Sequence, residues 1–191
     1  MFLGVRRRSV VVVQFDRAIE RVERVALAAA GVELLNSVGN HAYFASLALG
    51  GVDSGAAVAA APIRAVVAIA RPWKVHPRVT NAIAANDPPG WVVGGDDENG
   101  TTLVGLYVAF HRDVDLGVAA ADVAAAHGAI VRSRLESVNS LVITLPISNI
   151  DGLAADDTVQ WIEWPLPQFE VVNDSNRPGG REPCDGHVPR I

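Results

Sequence analysis

An order of strand and helix patterns that occurs twice constrains the fold of this chain more than any other feature of its sequence. In the first occurrence, the β-branched run of residues 10–15 predicts a buried strand. The apolar stripe of residues 17–30 predicts an amphipathic helix, and residues 32–47 predict two strands that meet at the tight-turn pair Gly39-Asn40. These four elements give the order β-α-β-β.

The first occurrence ends with a second helix and a last strand. The alanine run of residues 56–61 predicts a short helix that Pro62 ends, and residues 63–77 predict a strand with a proline-broken exit. The completed order is β-α-β-β-α-β. Residues 81–100 then lose periodicity and gather Pro, Gly and Asp, which is typical of a linker.

The same order returns after this linker. The second set of patterns predicts a strand at residues 102–111, a helix at 113–128 and two paired strands within 129–146. A short helix at 148–157 and a last strand at 158–165 follow. We interpret the two sets as an internal duplication.

A β-α-β-β-α-β unit folds as an antiparallel sheet with both helices on one face. The sequence therefore predicts an α+β protein made of two tandem ferredoxin-like antiparallel sandwiches. We expect a first module at residues 8–80, a linker at 81–100, a second module at 101–172 and a flexible C-terminal tail at 173–191.

The last strand carries large apolar side chains on both of its faces. Because side chains alternate along a strand, Trp161 and Ile162 are expected on opposite faces, as are Glu163 and Trp164. The side chains on one face of the strand pack against the helices of the same module. The side chains on the other face need a second surface to pack against. Either that surface belongs to another protein, or the open faces of the two repeats cover each other or the linker with Trp91.

Composition excludes several classes of function. Half of the 191 residues are hydrophobic, so the chain can bury a core, while the net charge of −5 and the lack of a long basic run disfavour a nucleic-acid surface. The single cysteine, Cys184, rules out an internal disulfide framework. The alanine-rich segments are interrupted too often by Arg, Asp or Pro to span a membrane.

No arrangement of reactive residues indicates catalysis. The five histidines are scattered without metal-ligand spacing, and no glycine-rich phosphate loop occurs, so no metal or other cofactor is expected. Ser54 lacks the flanking glycines of a nucleophile elbow and is expected to cap a helix, as is Asp16. The acidic turn at residues 96–99 lacks the alternating ligands of a calcium loop.

Four stretches of the chain resemble one known family. They are Val-Val-Val-Val-Gln-Phe-Asp at residues 10–16, the turn-centred segment 28–47, the closing strand and exit at 63–77, and the segment 153–174, which contains Val-Gln-Trp-Ile-Glu and ends in Asn-Asp. Together they resemble the N-terminal propeptide region of a subtilisin-like serine protease, in the subgroup with two tandem inhibitor-type modules. The resemblance spans about residues 8 to 176.

The resemblance implies a non-catalytic role as intramolecular chaperone and temporary active-site inhibitor of a subtilisin-like endopeptidase, in cis or in trans. It implies that the chain is not itself an enzyme, and the family's His-Gly-Thr and Gly-Thr-Ser-Met motifs are absent. The implied protease contacts are Trp161, Ile162, Trp164, Phe169, Glu170, Val171, Val172, Asn173 and Asp174.

Other readings stay open at this level. The chain is alternatively a stand-alone protein-protein interaction module or a trans-acting inhibitor, and an undetected enzyme with a site between the repeats is a third option. The family is usually secreted, whereas the start of this sequence reads as a first strand and shows no signal-peptide pattern. The localisation is therefore left open.

Overall fold

The fold is a mixed α+β arrangement with two antiparallel sheets, seen in a computed structural model that describes residues 9–48 and 50–166. The elements of the first half are β1 (Ser9–Phe15), α1 (Arg21–Ala29), β2 (Val32–Gly39), β3 (Ala42–Leu47), α2 (Ser54–Ala60) and β4 (Ile63–Ala68). Those that follow are α3 (Pro77–Ala85), β5 (Val93–Asp96), β6 (Thr102–Phe110), α4 (Leu116–His127), β7 (Ile130–Leu135), β8 (Ser140–Pro146), α5 (Ile150–Ala154) and β9 (Val159–Glu163).

The first sheet has the strand order β2-β3-β1-β4, and all its pairs are antiparallel. Alternate side chains of β1, from Val11, Val13 and Phe15, point into a core that they share with Leu27 of α1 and Ala57 of α2. Both helices therefore cover the same face of the sheet, and the other face of β1 points away from them.

The hairpin between β2 and β3 closes one residue later than the sequence predicted. Gly39 pairs with Ala42, so the two loop residues are Asn40 and His41, with φ of 49° and 57°. Two positive φ angles are the requirement of a type I′ turn, whose twist matches the twist of the flanking strands. The predicted turn is confirmed, and His41 lies in the loop instead of beginning the next strand.

The second sheet is built around β6. One edge of β6 pairs with β8, which pairs with β7, and the other edge pairs with β9 over residues 107–110 and with β5 over residues 102–104. Its core is formed by alternate side chains of β6 and β8 with α4 and α5; its largest fully buried members are Leu106, Leu141, Ile143, Leu145, Ile150, Leu153 and Ile162.

The predicted linker contains regular structure. Residues 77–85 form α3, in which Pro77 takes the first position and Val79 is fully buried in the second core, and β5 lies within residues 81–100. The expectation that this region lacks periodic elements is wrong, because a proline at the first helical position favours a helix where the sequence suggested an extended exit. The division into modules at residues 8–80 and 101–172 remains a prediction, and the tail at 173–191 lies outside the described residues.

Two predicted helix caps are wrong by one or more residues. α1 begins after Glu20, which forms a reciprocal capping box with Glu23, so Asp16 is not its cap. α2 begins after Asp53, whose carboxylate accepts a hydrogen bond from the Ala56 N–H, and Ser54 is the first helical residue. In both places a carboxylate satisfies the exposed N–H groups of the first turn.

The second half covers part of the free face of the first sheet. Val10 and Ser46 are paired across β1 and β3 on the face away from α1 and α2, and both are buried. The ring of Phe44 in β3 contacts the ring of His111, and the Arg112 guanidinium donates a hydrogen bond of 2.8 Å to the Leu34 carbonyl oxygen. The loop between β6 and α4 therefore joins the two halves. Among the described residues, no helix has the length and apolar character needed to cross a bilayer.

Candidate functional site

A groove of about 530 Å³ lies between α3 and the residues that leave β9. One wall comes from α3 and the loop that follows it, and the other comes from residues 163–166. The lining residues are His76, Arg78, Asn81, Ala82, Ala85, Asp87, Pro89, Trp91, Glu163, Trp164, Pro165 and Leu166. A volume of this size is in the range of natural ligand sites.

A short backbone connection fixes the two walls of the groove relative to each other. The Ile162 N–H donates to the Lys74 carbonyl oxygen at 2.8 Å, and the His76 N–H donates to the Ile162 carbonyl oxygen at 2.9 Å. Val75 thereby pairs with Ile162 in parallel along the outer edge of β9. Because Pro77 begins α3 immediately after this pairing, α3 is held beside β9.

His76 positions the first turn of α3 as well. Its Nδ1 accepts a hydrogen bond of 3.0 Å from the Arg78 N–H, so the side chain acts as the helix N-cap. Its ring also lies edge-on to Trp161, with ring centroids 5.9 Å apart. The imidazole therefore connects the helix to the strand at one end of the groove.

The apolar surface of the groove comes from tryptophan and leucine side chains. Trp91 is 60% exposed and Leu166 is 83% exposed, whereas Trp164 is half-buried and packs against the second core. The Nε1 of Trp164 is buried and has no hydrogen-bond partner among the described residues. Aromatic residues with one apolar face and a polar N–H are enriched at protein interfaces.

Polar side chains surround this apolar surface. The Trp161 Nε1–H donates to Glu163 Oε2 at 3.0 Å, which holds the Glu163 carboxylate at one edge of the groove. Arg78 and Asp87 lie on the opposite wall. The groove thus combines an apolar centre with a polar rim, the pattern of a protein-binding surface.

The face of the second sheet away from its helices adjoins this groove. Val104, Leu106, Val108 and Phe110 of β6 point into the core, so the residues between them point to the other face. There Tyr107 lies between Val142 of β8 and Glu163 of β9, and Ala109 lies opposite Trp161. Glu163 belongs both to this open sheet face and to the groove.

The structure distributes the predicted contact residues among different places. Trp161 lies half-buried on the open sheet face, and Trp164 lines the groove. Ile162 is fully buried in the second core and opposes Val108, so its expected contact with a partner is wrong. The predicted contacts from Phe169 to Asp174 lie outside the described residues.

Sequence reasoning missed the wall formed by α3. A helical signal was present, because a proline follows His76 and the spacing of Val79, Ala82 and Ile83 places apolar side chains on one stripe. Trp91 was considered only as a cover for an open sheet face. Recognition of α3 would have placed Trp91 beside a helix that faces the last strand.

Burial also lowers the pKa of Lys74, the residue whose carbonyl oxygen accepts the hydrogen bond from the Ile162 N–H. Lys74 is buried, and the desolvation of its ammonium group lowers its pKa, while the carboxylates of Asp157 and Asp156 act in the opposite direction. Its Nζ donates to the Asp156 carbonyl oxygen at 2.7 Å. Within the described parts of the chain, no three His, Cys, Asp or Glu side chains lie close enough to hold one metal ion.

The described elements define a mixed α+β protein with two antiparallel sheets and an accessible apolar groove. A protein-family model described as "Domain of unknown function (DUF8729)" matches residues 4–70, a segment that contains β1 to β4. No curated protein matches the chain, and no solved structure does. The groove lies outside the matched segment.

Proposed function

We propose that this chain is a non-catalytic propeptide region of a subtilisin-like serine endopeptidase, in which it serves as intramolecular chaperone and temporary active-site inhibitor. The observation that carries the proposal is the equivalent strand order of the two halves. The order β2-β3-β1-β4 in the first sheet corresponds to β7-β8-β6-β9 in the second. We interpret each half as a ferredoxin-like module, the unit that the family resemblance implies twice.

The two modules have different roles in this proposal. The loop that contains His111 and Arg112 already covers part of the free face of the first sheet. The free face of the second sheet carries Tyr107, Val142 and Trp161, which are all half-buried. The second module therefore makes the main contact with the enzyme, and the first module supports it.

The segment that follows β9 is the part of the chain that inhibits the protease in this proposal. Strand β9 ends at Glu163, and the chain continues through Trp164 and Leu166 along one wall of the groove. Pro165 restricts the preceding residue, Trp164, to an extended conformation. In the proposed complex, Phe169 to Asp174 lie along the active-site cleft of the protease as an added strand, where backbone hydrogen bonds supply affinity.

The chaperone part follows from the same contact. A partner that binds only the folded protease shifts the folding equilibrium of the protease towards the folded state. The groove and the sheet face meet at Glu163, so one protease surface can contact both. The same binding energy thus supports both inhibition and folding assistance.

Inhibition and refolding assays with the purified chain test the proposal. We expect the chain to inhibit at least one member of a panel of subtilisin-like endopeptidases and to speed its refolding, and to leave trypsin unaffected. A matched pair of variants locates the contact, because Trp91 and Trp73 are 60% and 62% exposed and only Trp91 lines the groove. Trp91→Ala should raise the inhibition constant about tenfold and Trp73→Ala should not.

Two outcomes would overturn the proposal. The first is that no protease of the panel is inhibited or refolded faster. The second is that the two tryptophan variants have equal effects, which would remove the groove from the contact. Each variant is first compared with the parent chain by circular dichroism, so that a folding defect is recognised as such.

A stand-alone interaction module is the second candidate function, and the exposed side chains of Trp91 and Leu166 favour it, since they form an apolar surface by themselves. Limited proteolysis by an unrelated protease separates the two candidates. An inhibitor gains protection at residues 169–174 when its partner is added. An interaction module gains protection at the groove and not in that segment.

A further inference from the structure

A second pocket, of about 270 Å³, lies between the two halves and is independent of the groove. Its floor contains Val10 and Ser46, which are paired across β1 and β3 on the free face of the first sheet. Its wall contains Val118 and Ala119 from the first turns of α4. Both halves are therefore needed to form it.

Four carboxylates surround this apolar lining. They belong to Asp113, Asp115, Asp122 and Asp157. One oxygen of Asp115 accepts the N-capping hydrogen bond from the Val118 N–H at 2.9 Å. The pocket thus has a negative rim above an aliphatic floor, and such a rim attracts a cation.

A buried hydroxyl is the independent sign that this pocket takes a ligand. Ser46 is only 2% exposed, and its Oγ makes no hydrogen bond with any described residue. A buried hydroxyl without a partner is costly, so such groups are normally paired. Ser46 lines the pocket floor beside Val10, so a bound molecule would lie against the sheet face that carries this hydroxyl.

The arrangement of the carboxylates indicates the chemical class of the ligand. No three acidic side chains of the described residues lie close enough to coordinate a single metal ion. The four carboxylates instead lie around Val10, Val118 and Ala119, which suits a cationic head on an aliphatic stem. The volume is below that of most small-molecule sites, so it suits one side chain or a short diamine.

We propose that this pocket binds a primary ammonium or guanidinium group on an aliphatic stem, with the stem on Val10 and Val118, the cation at Asp122 and Asp157, and a hydrogen bond to Ser46 Oγ. The ligand is a lysine or arginine side chain of another protein, or a free diamine of the same chemistry. The proposal does not depend on protease inhibition.

Titration of the ¹⁵N-labelled full chain by NMR at low salt tests this proposal. The probes are N-acetyl-lysine methylamide, N-acetyl-arginine methylamide and 1,5-diaminopentane, and N-acetyl-norleucine methylamide is the neutral comparison. We expect saturable shifts at Val10, Ser46 and Val118 with the cationic probes only. Preference for an amino-acid probe or for the diamine identifies which source fits the site.

Charge-removing variants connect the binding to the named carboxylates. Asp122→Asn and Asp157→Asn should each weaken binding by about threefold to tenfold. Asp96→Asn, which removes an exposed carboxylate from β5, should leave it unchanged. The proposal is overturned if no cationic probe shifts these residues, if norleucine shifts them equally, or if all three variants behave alike.

Discussion

The imidazole ring of His111 lies edge-on to the phenyl ring of Phe44, with ring centroids 5.0 Å apart and an interplanar angle of 65°. His111 directly follows β6 and Phe44 belongs to β3, so this contact joins the two halves. His111 is 1% exposed, and its Nε2 has no hydrogen-bond partner among the described residues. Burial lowers its pKa to about 4; the Asp113 carboxylate opposes this shift and the Lys74 ammonium adds to it.

The stability of the protein is predicted to fall as the pH drops from about 6.5 to about 4. Over this range an unfolded histidine takes up a proton while His111 in the folded chain does not, so the unfolded state binds more protons and stability rises with pH. The loss attributable to His111 is about 2 to 3 kcal/mol. Urea unfolding at pH 7, 5.5 and 4 measures it.

The variant His111→Gln separates this effect from the titration of carboxylates. It should remove most of the pH dependence between 6.5 and 5, where carboxylates titrate little. The exposed loop residue His41 provides the comparison, and His41→Asn should retain the dependence of the parent chain. An unchanged slope in His111→Gln would contradict the assignment to this contact.

Two buried serines are predicted to respond in opposite directions to the same substitution. Ser140 Oγ donates to the Val138 carbonyl oxygen at 2.8 Å, whereas Ser46 Oγ has no partner among the described residues. Ser140→Ala should lower the free energy of unfolding by about 1 kcal/mol. Ser46→Ala should raise it by about 0.5 to 1 kcal/mol, because a desolvated hydroxyl without a partner is removed. Denaturant unfolding of both variants measures the two changes in the free energy of unfolding. Changes of the same sign would contradict the prediction that only Ser140 Oγ contributes a stabilising hydrogen bond.

Lys74 is predicted to be replaceable by methionine but not by alanine. Its ammonium group is desolvated, and the Asp156 carbonyl oxygen that it contacts also accepts a hydrogen bond from the Val159 N–H. Lys74→Met keeps the buried aliphatic stem and should change stability by less than about 1 kcal/mol at pH 7. Lys74→Ala removes the stem and should cost about 2 to 3 kcal/mol. Thermal unfolding of the two variants compares them directly, and equal losses would show that the charge itself is required.

The strands and helices with strong local signals were predictable from sequence. The alternation of residues 102–110 predicted β6. The alanine-rich segment that ends before Gly128 predicted α4, because alanine favours a helix and glycine favours its C-terminal end. Asn40 and His41 show the usual limit, since a turn was recognisable but its exact residues were not. The β-α-β-β-α-β order, which occurs twice, was enough to indicate two antiparallel sheets.

The environment of β9 could not be predicted by simple alternation. The pairing of β6 with β9 contains a bulge between Ala109 and Phe110, and Val159 and Ile162 both point into the core although they are three residues apart. A bulge puts two residues of one strand opposite one of the other and so breaks the two-residue period. For the same reason the sequence could not separate Ile162 as a core residue from Trp161 as a surface residue.

The position of α3 depends on contacts that are distant in sequence. The pairing of Val75 with Ile162 joins residues 87 positions apart, and no local pattern encodes it. The groove exists only because this pairing places α3 beside the exit of β9. The sequence pointed to Trp164, which lines the groove, but it could not supply the opposite wall, and the predicted contact of Trp164 with a partner stays a prediction.

Gly31 is predicted to be far less tolerant of alanine than Gly39. Both have positive φ, 87° and 92°, which strains any residue with a Cβ. A Cβ at Gly39 meets nothing within 4 Å, whereas a Cβ at Gly31 would lie 2.5 Å from the Gly51 carbonyl oxygen. The Gly51 backbone cannot move aside as a flexible side chain can, and the Gly31 carbonyl oxygen also accepts a hydrogen bond from the Ala48 N–H.

Gly39→Ala should lower the free energy of unfolding by about 1 to 2 kcal/mol, and Gly31→Ala should lower it by about 3 to 4 kcal/mol. Chemical denaturation of both variants measures the difference, and equal costs would show that the loop at Gly51 moves aside.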